Sequence, residues 1–438
     1  MNAAILIVAL ATTHTLAGGS DDAIAVAGRI AQQPEGALWP GFDPAGVPLM
    51  IYDGARTVLI NHPEPPGEFL RNAEGVGVFD GRHDAVVANT TVEIAGAWTA
   101  VASIEGLSLD RAASLLIHEA FHAHQRRSLP GWWTVNEVEL LTYPFDDAEN
   151  LALRRLETEA LRRALQTERL GDMRVWASEV LAIRRQRFAR LSEGASTYER
   201  GVERLEGVPR FVQWRFERAE ASLPEAGFEP EEVRARAYET GAAFAALLDR
   251  LDPTWVDLVN RGDGVWLDQA LAQVLGWSGG PSERFRPEEV AAQRERALSE
   301  VASLRREWDD DRRRVLGAPG LSIEVVVDAG APLWPAEFDP LNVRRVSNAE
   351  VIHRRWLRLS GDAGSLEVLG HPMVTTGVGP HPLFNGVRAI VVTGLDRFPD
   401  VNEAGDGVEI TGAGVSIRLA PASVEREGDR LVVRVARR

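Results

Sequence analysis

A chain of 438 residues is too long for one ordinary compact domain, so two or three domains are expected. Its composition, 45% hydrophobic and 26% charged, is that of an ordered globular protein and leaves no low-complexity tract. The net charge of −16, with every cation an arginine, argues against a nucleic-acid partner, and the absence of cysteine excludes disulfides and thiolate ligands, leaving His and carboxylate to hold any metal.

The chain opens on an apolar run from Ala3 to Ala11, followed by the small-residue pattern Thr15-Leu16-Ala17. Residues 1–19 are therefore expected to be a signal peptide and the protein to be exported, to a periplasm or the exterior. No stretch approaches the roughly 18 uninterrupted apolar residues of a membrane span.

Residues 20–106 read as a strand-rich segment. Leu49 to Tyr52, Arg56 to Ile60, Ala85 to Ile94 and Trp98 to Val101 are β-like runs, separated by turn signals such as Asp53-Gly54 and by Pro63, Pro65 and Pro66. Residues 107–316 switch to a helical period, with long segments at 148–170, 173–191, 231–251 and 287–316. After Gly317-Ala318-Pro319-Gly320 the β-branched runs return, among them Ile323 to Val327, Ala389 to Val392, Val415 to Leu419 and Leu431 to Val435. The expected fold class is α+β: a small N-terminal sheet, a mainly helical body, and a β-rich C-terminal domain over 321–438. Leu38-Trp39-Pro40 and Leu333-Trp334-Pro335 echo each other without surrounding similarity, which suggests no more than a shared local turn.

The chemistry is concentrated in the first helix of the body. Ser108 or Asp110 caps it, Pro130-Gly131 ends it, and within it stands His118-Glu119-Ala120-Phe121-His122. Residues four apart on a helix lie one above the other, so both imidazoles can reach one metal ion. Glu119 lies beside them without being a ligand, where a general base for a metal-activated water is needed. Zinc is the expected ion, and a third protein ligand is required to leave one open position. The metzincin pattern is excluded, because Gln125 and Ser128 stand where that class carries Gly and His. The best-known gluzincins place a glutamate about twenty residues past the second histidine, where this chain has Leu140, Leu141 and Thr142.

Further downstream, Glu206-Gly207-Val208-Pro209-Arg210-Phe211 presents a glutamate, a glycine and then an aromatic. Together with Phe121-His122-Ala123-His124-Gln125, the segment Glu149 to Leu165, and Tyr238-Glu239-Thr240-Gly241 leading into Ala246 to Leu251, it resembles a branch of bacterial gluzincin-like zinc metallopeptidases over residues 37–275. The resemblance implies Glu206 as the third ligand beside His118 and His122. Glu157, Glu159, Glu203 and Glu149 are the other carboxylates that would complete such a site, although surface pairing with arginine is the expected role of Glu157 and Glu159. Pro209 falls where the pattern carries a small helix former, so a helix is expected to start at Glu206 or to kink there. Phe211 stands where a tyrosine is usual and removes a hydroxyl donor. Tyr198, Tyr238, His124 and His353 are candidates for a group that stabilises an oxyanion.

The function expected is a zinc-dependent peptidase acting on a peptide or protein, with the strand region between Ala85 and Val101 as the edge on which an extended substrate lies. The alternatives are a zincin-like hydrolase of a non-peptide amide or ester, and a catalytically silent zincin-fold protein that binds through its C-terminal β domain. The tryptophans, Trp132, Trp133, Trp176, Trp214, Trp255, Trp266 and Trp277 among them, are expected to be core anchors.

Overall fold

The computed structural model describes residues 20–72, 75–260, 264–328, 330–339 and 342–436, so the expected signal peptide at 1–19 lies outside the described residues. The fold class is α+β, with an N-terminal sheet, a helical middle and a β-rich C-terminal region. By contact, the chain divides into two units. The first takes the chain up to Val135 with Arg155–Gln186 and Glu199–Phe285; the second takes Asn136–Arg154, Arg187–Tyr198 and the chain from Arg286 onward.

In the first unit, helix α1 (Ser20–Ala31) precedes the strands β1 (Leu49–Tyr52), β2 (Arg56–Ile60), β3 (Leu70–Arg71), β4 (Gly77–Asp80), β5 (Thr90–Ile94) and β6 (Ala97–Ser103). They form one sheet in the order β3-β4-β2-β1-β6-β5. β1 runs parallel to β6, and β5 closes the edge as the antiparallel partner of β6, from Thr90 opposite Val101 to Ile94 opposite Ala97. The strand expected from Ala85 begins only at Thr90. The Val86 N–H donates to the His83 carbonyl at 2.9 Å and closes a turn there, so the apolar residues before Thr90 do not enter the ladder.

The helices follow as α2 (Leu109–Ser128), α3 (Ala148–Gln166), α4 (Leu170–Phe188), α5 (Glu193–Val202), α6 (Val208–Glu217), α7 (Val233–Leu251), the short α8 (Val256–Val259), α9 (Leu267–Leu275) and α10 (Pro287–Leu316). α2 packs against β6 and β5 on one side and against α6 on another, and it is buried almost all round from Ala112 to Gln125, the mark of a central helix. Beneath it, Trp39 meets Phe121, Trp132 and Trp255 edge-on, with ring centroids 5.4, 6.2 and 5.4 Å away. Edge-to-face rings of this kind add to the burial they already contribute and hold α2 in place.

In the second unit, a seven-stranded and a six-stranded sheet share one core. Strand alternation builds it: Ile323, Val325 and Val327 point inward from one sheet, Leu357, Leu359, Leu366 and Val368 from the other. The two Trp-Pro echoes have unlike fates, since Trp39 is fully buried in the first unit and Trp334 is 47% exposed on a strand of the second.

Candidate metal centre

Ser108 has extended backbone and its side chain accepts from the Arg111 N–H, which starts α2 where a capping residue is expected. The helix then sets His118 and His122 one turn apart. The third donor arrives from a π-helical turn, Glu203–Gly207, that leads directly into α6. Turns of this type are rare and concentrate at functional sites.

The three donor atoms converge. His118 Nε2 and His122 Nε2 are 3.1 Å apart, His122 Nε2 and Glu206 Oε2 are 3.2 Å apart, and His118 Nε2 and Glu206 Oε2 are 3.5 Å apart. A tetrahedral ion with bonds of ~2.0–2.1 Å has ligand atoms about 3.3–3.4 Å apart, whereas octahedral neighbours at the same bond length stand only about 2.8–3.0 Å apart. The spacing fits the tetrahedral case. His118, His122 and Glu206 form a group that could hold a metal ion.

What surrounds these atoms fixes their direction. His122 Nδ1 faces Gln125 Oε1 at 2.7 Å, and the Gln125 amide nitrogen donates to the Leu205 carbonyl at 3.1 Å. That carbonyl lies four residues before Pro209, which has no N–H to give it. The proline thus lies in the first turn of α6, which begins two residues after the start expected at Glu206. It follows the π turn near the start of α6 and leaves a backbone acceptor for the side chain that orients His122. The other oxygen of Glu206, Oε1, takes a hydrogen bond from Arg234 Nη2 at 3.0 Å, so Oε2 is the one left to face the histidines.

Two glycines make the approach feasible. A Cβ on Gly207 would sit 2.4 Å from Gly241 Cα, and a Cβ on Gly241 would sit 2.2 Å from the Glu203 carbonyl oxygen. The π turn and α7 thus touch backbone to backbone, a contact only glycine permits on both sides. Below it, Glu203 is anchored by Arg184 and by Thr240 Oγ1 at 3.0 Å, and Arg184 also reaches Glu157 at 2.8 Å and Asp268 at 3.3 Å.

Burial pulls His118 down to about 4 even though a hydrogen bond to Glu206 works the other way, so its imidazole is neutral near pH 7, as a ligand must be. For His122, burial also favours the neutral form, but the hydrogen bond and charge of Glu206 outweigh it and hold this imidazole above its usual value. Burial raises Glu206 too, yet the hydrogen bonds from both histidines win and keep it well below the carboxylate range. Glu119, 7% exposed, is pushed up to about 7 by burial, against the charge of His122. Its carboxylate makes no hydrogen bond or ion pair among the described residues, although its backbone carbonyl accepts from Thr91 Oγ1 on β5 at 2.6 Å. Such a group can take and release a proton at neutral pH.

Of the oxyanion candidates, one is at the site. The Tyr238 hydroxyl stands 2.6 Å from His118 Nε2, its ring stacked on the imidazole at 5.2 Å. Burial, with the charges of Glu206 and Glu119, raises its pKa and keeps the hydroxyl protonated. Tyr198 donates to Glu137, His124 lies among the rings of Phe42 and Phe121, and His353 sits against Thr375 in the second unit. Of the other carboxylates, Glu157 pairs with Arg184 and Arg236, Glu203 with Arg184, Glu159 with Arg162 and Arg163, and Glu149 with Arg294. Glu157 pairs with arginine as expected, but in the interior and not at the surface. Phe211 is a core residue, 4% exposed and edge-on to Trp255. Gln125 and Arg234 were not singled out as site residues by sequence, although Gln125 lies three residues after His122 on the same helix face.

A cavity of about 670 Å³ opens beside the centre, lined by Tyr238, Glu239, Arg210, Leu223 and Phe228 among others. No helix among the described residues is long and apolar enough to cross a membrane. No protein-family model, curated protein or solved structure matches the chain.

Proposed function

We propose that the protein is a zinc-dependent hydrolase, a peptidase of the gluzincin type. The observation that carries this reading is the tetrahedral spacing of His118, His122 and Glu206 with the unpaired carboxylate of Glu119 next to it on the same helix. Two imidazoles and one carboxylate suit zinc, and an ion held by them supplies a Lewis acid that polarises a carbonyl and acidifies water.

The chain's own residues account for the remaining work. Glu119, with its pKa near 7, takes the proton from water and returns it to the leaving amine. Tyr238 keeps its hydroxyl proton and donates it as a hydrogen bond to the oxygen that gains charge, a contribution on the order of 3–4 kcal/mol where such donors are removed by mutation. β5 is an edge strand and is tied to Glu119 through Thr91, so a peptide added along it passes the centre in extended form. The cavity beside Tyr238 then receives a side chain. We further propose that the mature enzyme is exported, which N-terminal sequencing of the secreted form would test.

The decisive experiment is elemental analysis of the purified protein with His122→Ala, Glu206→Ala and Glu119→Gln variants, followed by peptide profiling. About one zinc per chain, lost from the first two variants and kept by the third, with peptide cleavage abolished only by loss of zinc or of Glu119, is the expected result. Iron in place of zinc, or no metal, would overturn it. Zinc with cleavage of esters or small amides alone would transfer the site to a non-peptide substrate.

A further inference from the structure

The helix that carries the two histidines carries a third side chain on the same face. Arg126 follows His122 by four residues, one turn further on. Its guanidinium lies against two indoles, with Cζ 3.2 Å from the ring centroid of Trp133 and 4.8 Å from that of Trp98. Trp133 is also the ring beside the metal ligand, 5.7 Å from the His122 imidazole. Trp98 belongs to β6 and lies directly opposite Glu93 of the edge strand β5. Arg126 thus touches one ring that neighbours the centre and one that lies opposite the strand along which the proposed substrate runs.

Among the described residues this arginine has no counter-ion. Arg184, Arg236, Arg210 and Arg234 of the same unit are all paired with carboxylates. Arg204, which has none, donates to the carbonyls of Gly131 and Gly264. Arg126 makes neither kind of contact among the described residues, and its Nε is buried without a partner. Burial lowers its pKa from the usual arginine value without bringing it near neutrality. A guanidinium set against indole rings keeps its edge for a ligand, the geometry in which paired N–H groups meet a carboxylate. The stacking also fixes the side chain before a ligand arrives, so little rotamer freedom is lost on binding.

We propose that Arg126 is a substrate-anion subsite: it binds a carboxylate of the peptide, an acidic side chain or the chain terminus, on the side of the centre towards the C-terminal end of α2. This rests on the metal-hydrolase reading above.

The test uses two hydroxamates of the same tail length, identical except that one tail ends in a carboxylate and the other in a carboxamide, over a graded series of lengths. Each is titrated by calorimetry into the zinc-loaded protein. At one tail length the carboxylate twin should bind about tenfold tighter, the size of one charge-assisted hydrogen-bonded pair. The gap should shrink with salt. In Arg126→Gln the twins should bind alike, and Arg126→Lys should keep part of the gap; hydroxamate binding by these variants shows that they are folded. Twins that bind equally to the parent at every length, or a gap that persists in Arg126→Gln, overturn the subsite and leave the hydrolase reading intact. If neither twin binds and the protein holds no zinc, that reading fails and takes the subsite with it. Cleavage rates for a C-terminally amidated peptide with an internal glutamate, against a free-ended peptide with glutamine there, then identify which carboxylate Arg126 reads.

Discussion

The surroundings of the candidate metal centre and the core between the two C-terminal sheets solve burial in opposite ways. Around the candidate metal centre, charge is buried with charge: Arg184, Arg236, Glu157, Glu199 and Glu203 are each at most 2% exposed and linked by ion pairs. In the sandwich, the core shared by the two sheets is aliphatic, and His353 against Thr375 is a buried polar contact beside it. A charged interior has few acceptable arrangements, so it fixes the position of a carboxylate such as Glu206. An aliphatic core depends mainly on volume and accommodates change.

The contrast predicts a graded set of losses. Removing Arg184 as Arg184→Met takes its arginine from the buried Glu203 and leaves Glu157 to Arg236, and chemical denaturation should show about 3–5 kcal/mol of destabilisation. An effect below about 1 kcal/mol would mean that the network relaxes freely. Gly207→Ala forces the π turn away from Gly241, at a cost of about 1–3 kcal/mol, and metal content should fall well below one ion per chain. Full metal retention would show that the glycine contact does not place Glu206. Gln125→Leu should cost about 1–3 kcal/mol, since the Leu205 carbonyl and His122 Nδ1 lose a buried partner, and should weaken metal binding by roughly 10–100-fold in a competition titration, because His122 loses the group that aims its ring.

The sandwich should respond to acid instead. Burial pushes His353 down to about 3, so below its ordinary value of 6.5 the unfolded chain binds a proton that the folded chain does not. Stability from this group is therefore complete above that pH and falls, by up to about 1.4 kcal/mol per unit, as pH drops towards 3. His353→Phe should flatten that slope in melts followed across pH. The smallest effect should come from Ile390→Val, a fully buried methylene lost from the aliphatic core, at about 0.5–1.5 kcal/mol. A larger loss would show the sandwich to be as exacting as the metal centre.

Periodic and local features were legible in the sequence. α2 begins after Ser108, α10 spans Pro287–Leu316, and the strand Val415–Leu419 has the predicted bounds, because caps, helical period and alternation all act within a few residues. The pair His118 and His122 was readable for the same reason. The role of Pro209 was not, since a missing N–H reads as a helix fault until its free carbonyl is seen to meet Gln125, 80 residues away from Leu205. Gly207 and Gly241 likewise state no purpose in isolation; only the close passage of two backbones gives them one. The units themselves are assembled from separated stretches, which no linear pattern marks.

The donor set also has a consequence for the chain as a polymer. His122 and Glu206 are 84 residues apart, and an ion bridging them closes a long loop in a sequence that has no cysteine to do so. Chain-entropy reasoning for cross-links values closure of a loop of that length at around 4 kcal/mol. An ion seated there would act as a reversible staple, and its occupancy would set the protein's resistance to unfolding through the free-metal concentration. Chelation should then open cutting sites for proteases between Leu129 and Val202, and added zinc should close them again.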